Sequence, residues 1–242
     1  MRYARYVLIL ITASLLMSCG DMNVSKGTRF LEIKDYENAI KFYKQAIEKN
    51  PKNKSARIGL ANAHFRMAEE DKTGGARELL LKALSNLEIA NNINPEKRDY
   101  EIIQKMRDTC YTLGLLYKEA KDYEQAIEYL EKSIKIDSGF SKGYSELGNV
   151  FSKQERYTKA IEYNNKAIEV NPEYSEAYVN LGDIYKKRNE YDKAEEVLRK
   201  VLSINPLHRD AYFSLWSILQ EEGKFKEAQE LFEKYRKSIE GR

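Results

Sequence analysis

The chain has 242 residues, and its formal charge of +3 comes from 41 basic against 38 acidic residues. Arg2 and Arg5 sit at the extreme N-terminus, so the rest of the chain is close to neutral and general attraction to nucleic acid or anionic lipid is excluded. Charged residues are 33% of the chain, interspersed on helical patterns as a solvated outer face, and the 18 tyrosines fall mostly at repeat positions, as core and not as stacking platforms.

The first eighteen residues read as a leader. Arg2 and Arg5 form a short basic region, Val7 to Met17 is apolar except for Thr12 and Ser14, and Ser18 precedes Cys19. Such a core is shorter than the roughly 20 apolar residues of a membrane helix but fits a secretory signal. Leu16-Met17-Ser18-Cys19 resembles a bacterial lipobox. That resemblance implies cleavage before Cys19, a diacylated sulfur and an acylated amino group, hence attachment to a membrane without spanning it. Gly20, not aspartate, follows the cysteine, which by the enteric sorting rule favours the outer membrane, facing the periplasm, in a cell with two membranes. A tether over residues 19–25 reaches about 20 Å at full extension, so the folded part of the chain is expected close to the lipid. With Cys19 lipidated, Cys110 has no disulfide partner and reads as a buried hydrophobe.

From residue 26 to 242 the chain repeats. Ala39, Ala83, Ala126, Ala160, Ala194 and Ala228 are spaced by 44, 43, 34, 34 and 34 residues. A helical hairpin needs one small side chain where its helices cross, so the period marks about six stacked hairpins. Gly114, Gly148 and Gly182 lie twelve residues before three of the alanines, Tyr117, Phe151 and Tyr185 follow those glycines by three, and Pro51, Pro95, Pro172 and Pro206 close units. In this register the chain resembles the tetratricopeptide repeat family. The resemblance implies an all-α, right-handed superhelical array of helix-turn-helix units, at about 20–53, 54–97, 107–140, 141–174, 175–208 and 209–242. In unit five, Tyr178, Leu181, Gly182 and Tyr185 share one helical face and Ala194, Leu198 and Val201 another. Neither face is buried by one hairpin, so stability comes from neighbouring units.

Family members use the concave side, lined by the first helix of each unit. Its outward places are Asn62 and Phe65; Tyr111, Leu115 and Lys118; Ser145, Asn149 and Lys153; Asn180, Asp183, Lys186 and Lys187; Phe213 and Gln220. Asparagines there can hold the backbone of an extended peptide, and lysines beside them favour an acidic ligand; alternatively, Asn149 and Asn180 are consensus residues that bond neighbouring helices. The family's carboxylate clamp is incomplete, because Ser145, Asp210 and Ser214 stand where its basic residues belong. A second reading makes Phe65, Tyr111, Leu115 and Phe213 the lining of an apolar channel for a small hydrophobic ligand delivered to a transporter. A closed apolar pocket would favour that reading, an open polar groove the peptide.

The period breaks in two places. Twenty-two residues separate Ala61 from Ala83 where the period requires 12, and 19 separate Pro95 from Gly114 where it requires 10. The extra segments, near 70–80 and 98–106, contain the turn Thr73-Gly74-Gly75, then Leu79 to Leu81, Tyr100, Ile102, Ile103 and Met106. Shared between two helices, ten residues lengthen each by about 7 Å. Leu79, Tyr100, Ile102 and Ile103 are therefore expected either on projecting edges, as a partner-docking surface, or in local packing. At the far end, Tyr235 replaces the alanine that would receive a further hairpin, as a self-cap or a helix-to-helix dimer contact; the oligomeric state is not legible.

No catalytic, cofactor or metal motif stands out. His64 takes an aromatic place, His208 precedes a helix, Gly74-Gly75 lacks the lysine of a phosphate loop, and Glu69-Glu70-Asp71 is a solvated helix end. The expectation is a non-enzymatic, lipid-anchored scaffold that captures envelope proteins or peptides, an architecture similar to pilotin lipoproteins, the lipoprotein subunit of the barrel-assembly machine, and lipoproteins that gather cell-wall hydrolases.

Overall fold

A computed structural model describes residues 22–96 and 99–240. Cys19 and the segment 1–18 expected as a leader lie outside the described residues. Those described form twelve helices and no strand: α1 (22–32), α2 (Tyr36–Lys49), α3 (Lys54–Glu70), α4 (Ala76–Asn92), α5 (Tyr100–Glu119), α6 (Tyr123–Ile136), α7 (Ser141–Lys153), α8 (Tyr157–Val170), α9 (Ser175–Lys187), α10 (Tyr191–Ile204), α11 (Arg209–Glu221) and α12 (Phe225–Glu240). They pair sequentially as antiparallel hairpins, α1 with α2 through α11 with α12, giving six helix-turn-helix repeats. Two compact units divide between Leu116 and Tyr117, inside α5. Helix α1 has begun by residue 22, so residues 22–25, expected as tether, already belong to the first repeat.

The turn inside five of the six hairpins follows one device, whereas the α3–α4 turn runs through Thr73-Gly74-Gly75 with Gly74 at φ 91°. Lys34, Lys121, Glu155, Asn189 and Gly223 all have φ between 58° and 74°, in the left-handed region. Each stands just past its first helix, and its neighbour reaches back to close the last turn: Asp35 N–H donates to Phe30 O at 2.9 Å, Arg156 N–H to Phe151 O at 2.9 Å and Lys224 N–H to Leu219 O at 2.8 Å. Four of the five are not glycine, so the turn is held by its hydrogen bonds and packing against the local backbone preference. Between hairpins, Asn50, Asn171 and Asn205 accept from the N–H two residues on at 3.1 Å each, which explains the recurrent Asn-Pro. His208 is absorbed the same way: its Nδ1 accepts from Ala211 N–H, capping α11.

Packing explains the small residues. A Cβ on Gly148 would run into Asn164 Nδ2, and one on Gly182 would fall 2.8 Å from Leu198 Cγ. The six alanines that set the period are all fully buried. Cys110 is buried, as expected.

The two period breaks lengthen helices. α3 and α4 have 17 residues each and α5 has 20, against 13 or 14 in the helices of the last three hairpins bar α12. The excess of three to seven residues amounts to roughly 5–10 Å of helix. The fate of the apolar groups differs from a docking edge. Ile102 is completely buried, packed with Ala61, Ala83, Leu87 and Ala90, and Met106 closes the same cluster. Leu79 and Ile103 are half-buried, and Tyr100 is exposed. Ile102 thus completes the core, because the longer α3 and α4 need a longer α5 to cover them. Lys54 Nζ, 2.9 Å from Asp99 Oδ2, ties the start of α3 to the start of α5.

His64 sits in that lengthened region at a position where other units carry an aromatic ring. It is buried, its Nδ1 has no hydrogen-bond partner, and burial, then Lys44 and Lys82, lower its pKa to about 4. A folded-state pKa below the unfolded value of 6.5 means that the unfolded chain takes up the proton first; stability is intact above pH 6.5 and is lost as the pH falls towards 4. Relative to His64→Phe, the wild type should lose about 2–3 kcal/mol between pH 7.5 and pH 4.5. Urea unfolding of both proteins at the two pH values measures the difference; parallel losses would show that His64 is not held neutral.

Candidate functional site

The polar residues of the later first helices face one another across successive repeats and satisfy each other. In the second unit, Lys118 Nζ lies 2.7 Å from Glu146 Oε2, with both side chains largely covered. Lys186 donates to Ser217 Oγ at 2.9 Å and pairs with Glu221 at 2.9 Å. Ser214 donates to Asp183 Oδ1 at 3.2 Å, while the partial desolvation of Asp183 in its concave setting raises its carboxyl pKa. Asn180 Nδ2 donates to Ser145 Oγ at 2.9 Å and to Asn164 Oδ1 at 3.3 Å. Fully buried Asn164 in turn donates to Ala160 O at 2.8 Å.

These bonds revise the expectation for two lysines of this unit and agree with the alternative reading of Asn180 as a residue that bonds neighbouring helices. Lys118 and Lys186 do not offer unpaired charge to an acidic ligand, because each is neutralised by a carboxylate one repeat away. Asn180 spends its amide hydrogens on neighbouring helices. Asn149 is half-buried and makes no side-chain hydrogen bond to another described residue, and Phe213 is 47% exposed.

The first unit holds the clearest concavity, an open groove of about 860 Å³ between α1, α3 and α5. Asn62 and Phe65 line it, as expected from the repeat register, with Leu31 and Leu87 adding apolar surface. Asn62 is half-buried and its side chain makes no hydrogen bond to another described residue, so its amide is available. The rim is ionic: Lys34 Nζ and the Tyr36 hydroxyl both donate to Glu70 Oε1, at 2.8 and 2.9 Å, and Arg66 pairs with Glu69 at 2.9 Å. The bonds from Lys34 and Tyr36 hold the Glu70 carboxyl below its ordinary range. Glu69 and Glu70, read from sequence as a solvated helix end, are exposed and also stand in one wall of the groove. The partners of Glu70 come from another hairpin, so spacing along the chain held no signal for them.

The lining carries four carboxylates (Glu32, Glu69, Glu70 and Asp108) against three cations (Lys34, Arg66 and Lys105), which does not suit an acidic ligand. The four residues read as the lining of a hydrophobic channel do not share this groove. Phe65 lines this groove, Tyr111 and Leu115 do not, and Phe213 lies in the second unit. Among the described residues there is no cluster able to hold a metal ion, and no helix long and apolar enough to cross a membrane.

Comparison with known proteins agrees with this architecture. Tetratricopeptide repeat profiles match residues 30–86, 108–140 and 141–207, together more than half of the chain. A 93-residue stretch, 38% of the chain, is 33% identical to the RNA polymerase-associated protein CTR9 of Saccharomyces cerevisiae, of whose length it spans 8%. Among solved structures, MamA 41-end from Desulfovibrio magneticus RS-1 superposes with a TM-score of 0.55 at 20% identity, over 75% of this chain and 96% of that one. YrrB, described as a TPR protein with an unusual peptide-binding site, superposes with a TM-score of 0.53 at 19% identity, over 79% of this chain and 89% of that one. At such identities the superpositions speak for the fold. The chain belongs to the tetratricopeptide repeat family, whose members are non-catalytic scaffolds for protein–protein interaction.

Proposed function

We propose that this protein is a lipid-anchored scaffold of the bacterial cell envelope, on the outer membrane where two membranes exist, whose first-unit groove holds an extended segment of another envelope protein. The observation that carries the groove is Asn62, whose unspent amide stands beside Phe65 in an open concavity with polar walls. An amide of this kind donates to and accepts from one peptide backbone, while Phe65 and Leu31 provide an apolar slot for a side chain. The carboxylate excess favours a neutral or basic segment. YrrB, with its peptide-binding site, is a precedent within the fold. The anchoring half of the reading rests on the leader and on Cys19.

A photo-crosslinking amino acid placed at Phe65 in the native cell should yield discrete adducts, and the same group at Lys200, exposed on α10, should not. Absence of adducts at 65, or equal adducts at both positions, would sink the groove. In the same cells labelled palmitate should enter the protein, and Cys19→Ser should abolish labelling and move the chain from the membrane fraction to the soluble one. Continued membrane association without label would remove the anchor and leave the groove standing.

A further inference from the structure

One position recurs four residues after each repeat alanine: Tyr43, Leu87, Leu130, Asn164, Leu198 and Phe232. The first five are at most 2% exposed, whereas Phe232 is 49% exposed. The difference has a structural cause. Leu198 is covered by the first helix of the next hairpin, through Ala211, Leu215 and Ile218, and no described helix follows α12 to cover Phe232. The last hairpin shows more exposed apolar surface, with Phe213 47%, Trp216 40% and Ile239 51% exposed. Trp216 takes the register place of Gly182, which lies against Leu198, so Trp216 belongs beside Phe232. Tyr235 packs on Tyr212 and Phe213, with ring centroids 4.7 and 6.0 Å away, and fills only part of the face.

We propose that this outer face of α11 and α12 is a homodimer interface, occupied by the same face of a second copy across a two-fold axis. The occupant is set by what the chain can offer. The third, fourth and fifth hairpins are each followed by a helix carrying a small residue, a leucine four places on and an isoleucine or valine three places further: Gly143, Leu147, Val150; Ala177, Leu181, Ile184; and Ala211, Leu215, Ile218. The corresponding places on α1 are Met22, Lys26 and Arg29, all exposed, so the first helix lacks the leucine and the isoleucine or valine that fill this seat between interior hairpins, and head-to-tail stacking would forgo that apolar contact. The same face of a second copy is apolar, and two such faces exclude water from each other.

Charge selects the orientation. Phe225 to Glu233 carries three glutamates and one lysine, whereas Lys234 to Glu240 carries three cations and one glutamate. A two-fold axis perpendicular to α12 runs the two copies antiparallel and sets acidic halves beside basic ones; an axis along the helix would oppose like charges.

Sedimentation of the full chain in density-matched detergent tests the interface, with Phe232→Glu and Ile239→Glu as variants at positions already half exposed. The wild type should carry the mass of two chains, and both variants the mass of one with unchanged helical circular dichroism. A wild type of one chain at every concentration overturns the proposal, including the case in which it then gains mass by binding a helix of another protein. A two-chain mass that persists in both variants overturns it as well, since the contact would lie elsewhere.

Discussion

Replacing Tyr43 with alanine is expected to lower the stability of the first unit by about 3–5 kcal/mol, the range for deleting a large buried aromatic side chain. Tyr43 is 2% exposed and wedged between two helices that leave room for it by having no side chain there. A Cβ on Gly27 of α1 would lie 2.8 Å from the ring, and one on Gly59 of α3 would run into it. Its hydroxyl lies 3.0 Å from Thr28 Oγ1, so the ring also joins its own hairpin by a polar contact, and burial raises its phenol pKa. Because repeat stability is a sum of unit and neighbour-interface contributions, the loss falls on both sides of α2.

The fit between ring and glycine provides a control. Gly59→Ala alone should destabilise, since the new methyl meets the ring, but in the Tyr43→Ala background it should recover part of the loss by filling the vacated space. Chemical unfolding of the four proteins, with hydrogen exchange read in α1, α2 and α3, checks both signs. An additive double mutant would show that Tyr43 does not occupy the slot.

The second large effect is Ile102→Asp, expected to cost upwards of about 4 kcal/mol. Removing a buried isoleucine side chain costs roughly 2–5 kcal/mol, and the carboxylate that replaces it is buried without a partner. Tyr100→Ser, two residues away, should leave the melting temperature within about a degree, because that ring is 69% exposed and surface changes of this kind are nearly neutral. Thermal melts of the pair decide between packing and an exposed edge at the start of α5. An unchanged melt for Ile102→Asp would put that residue back on the surface.

How much could be read without coordinates depends on the distance over which each residue acts. The hairpins, their order and their crossing points follow from the alanine period, because each alanine is dictated by a contact inside its own unit. The lengthened helices were legible from the surplus residues, since helix length scales with residue number. The direction of Ile102 was not. It depends on whether the longer α3 and α4 present a surface that needs cover, and that surface exists only once three helices are packed.

The groove divides in the same way. Asn62 and Phe65 were placed by register, and the structure puts both in the concavity between α1, α3 and α5. Lys118, Asn180 and Lys186 were placed by the same register but are occupied by Glu146, by Ser145 with Asn164, and by Glu221, each 16 to 35 residues away. Register tells which way a side chain points, and says nothing about whether a neighbour has already claimed it.

The amino-acid sequence by itself determined the repeat architecture and showed no recognisable catalytic motif, because these are local or periodic properties of the chain. Tertiary structure alone decided which polar groups stay available, which apolar residues complete the core and which, around Phe232, remain uncovered. Those outcomes depend on hydrogen bonds and buried surface shared between hairpins, and such pairings form only when the repeats stack.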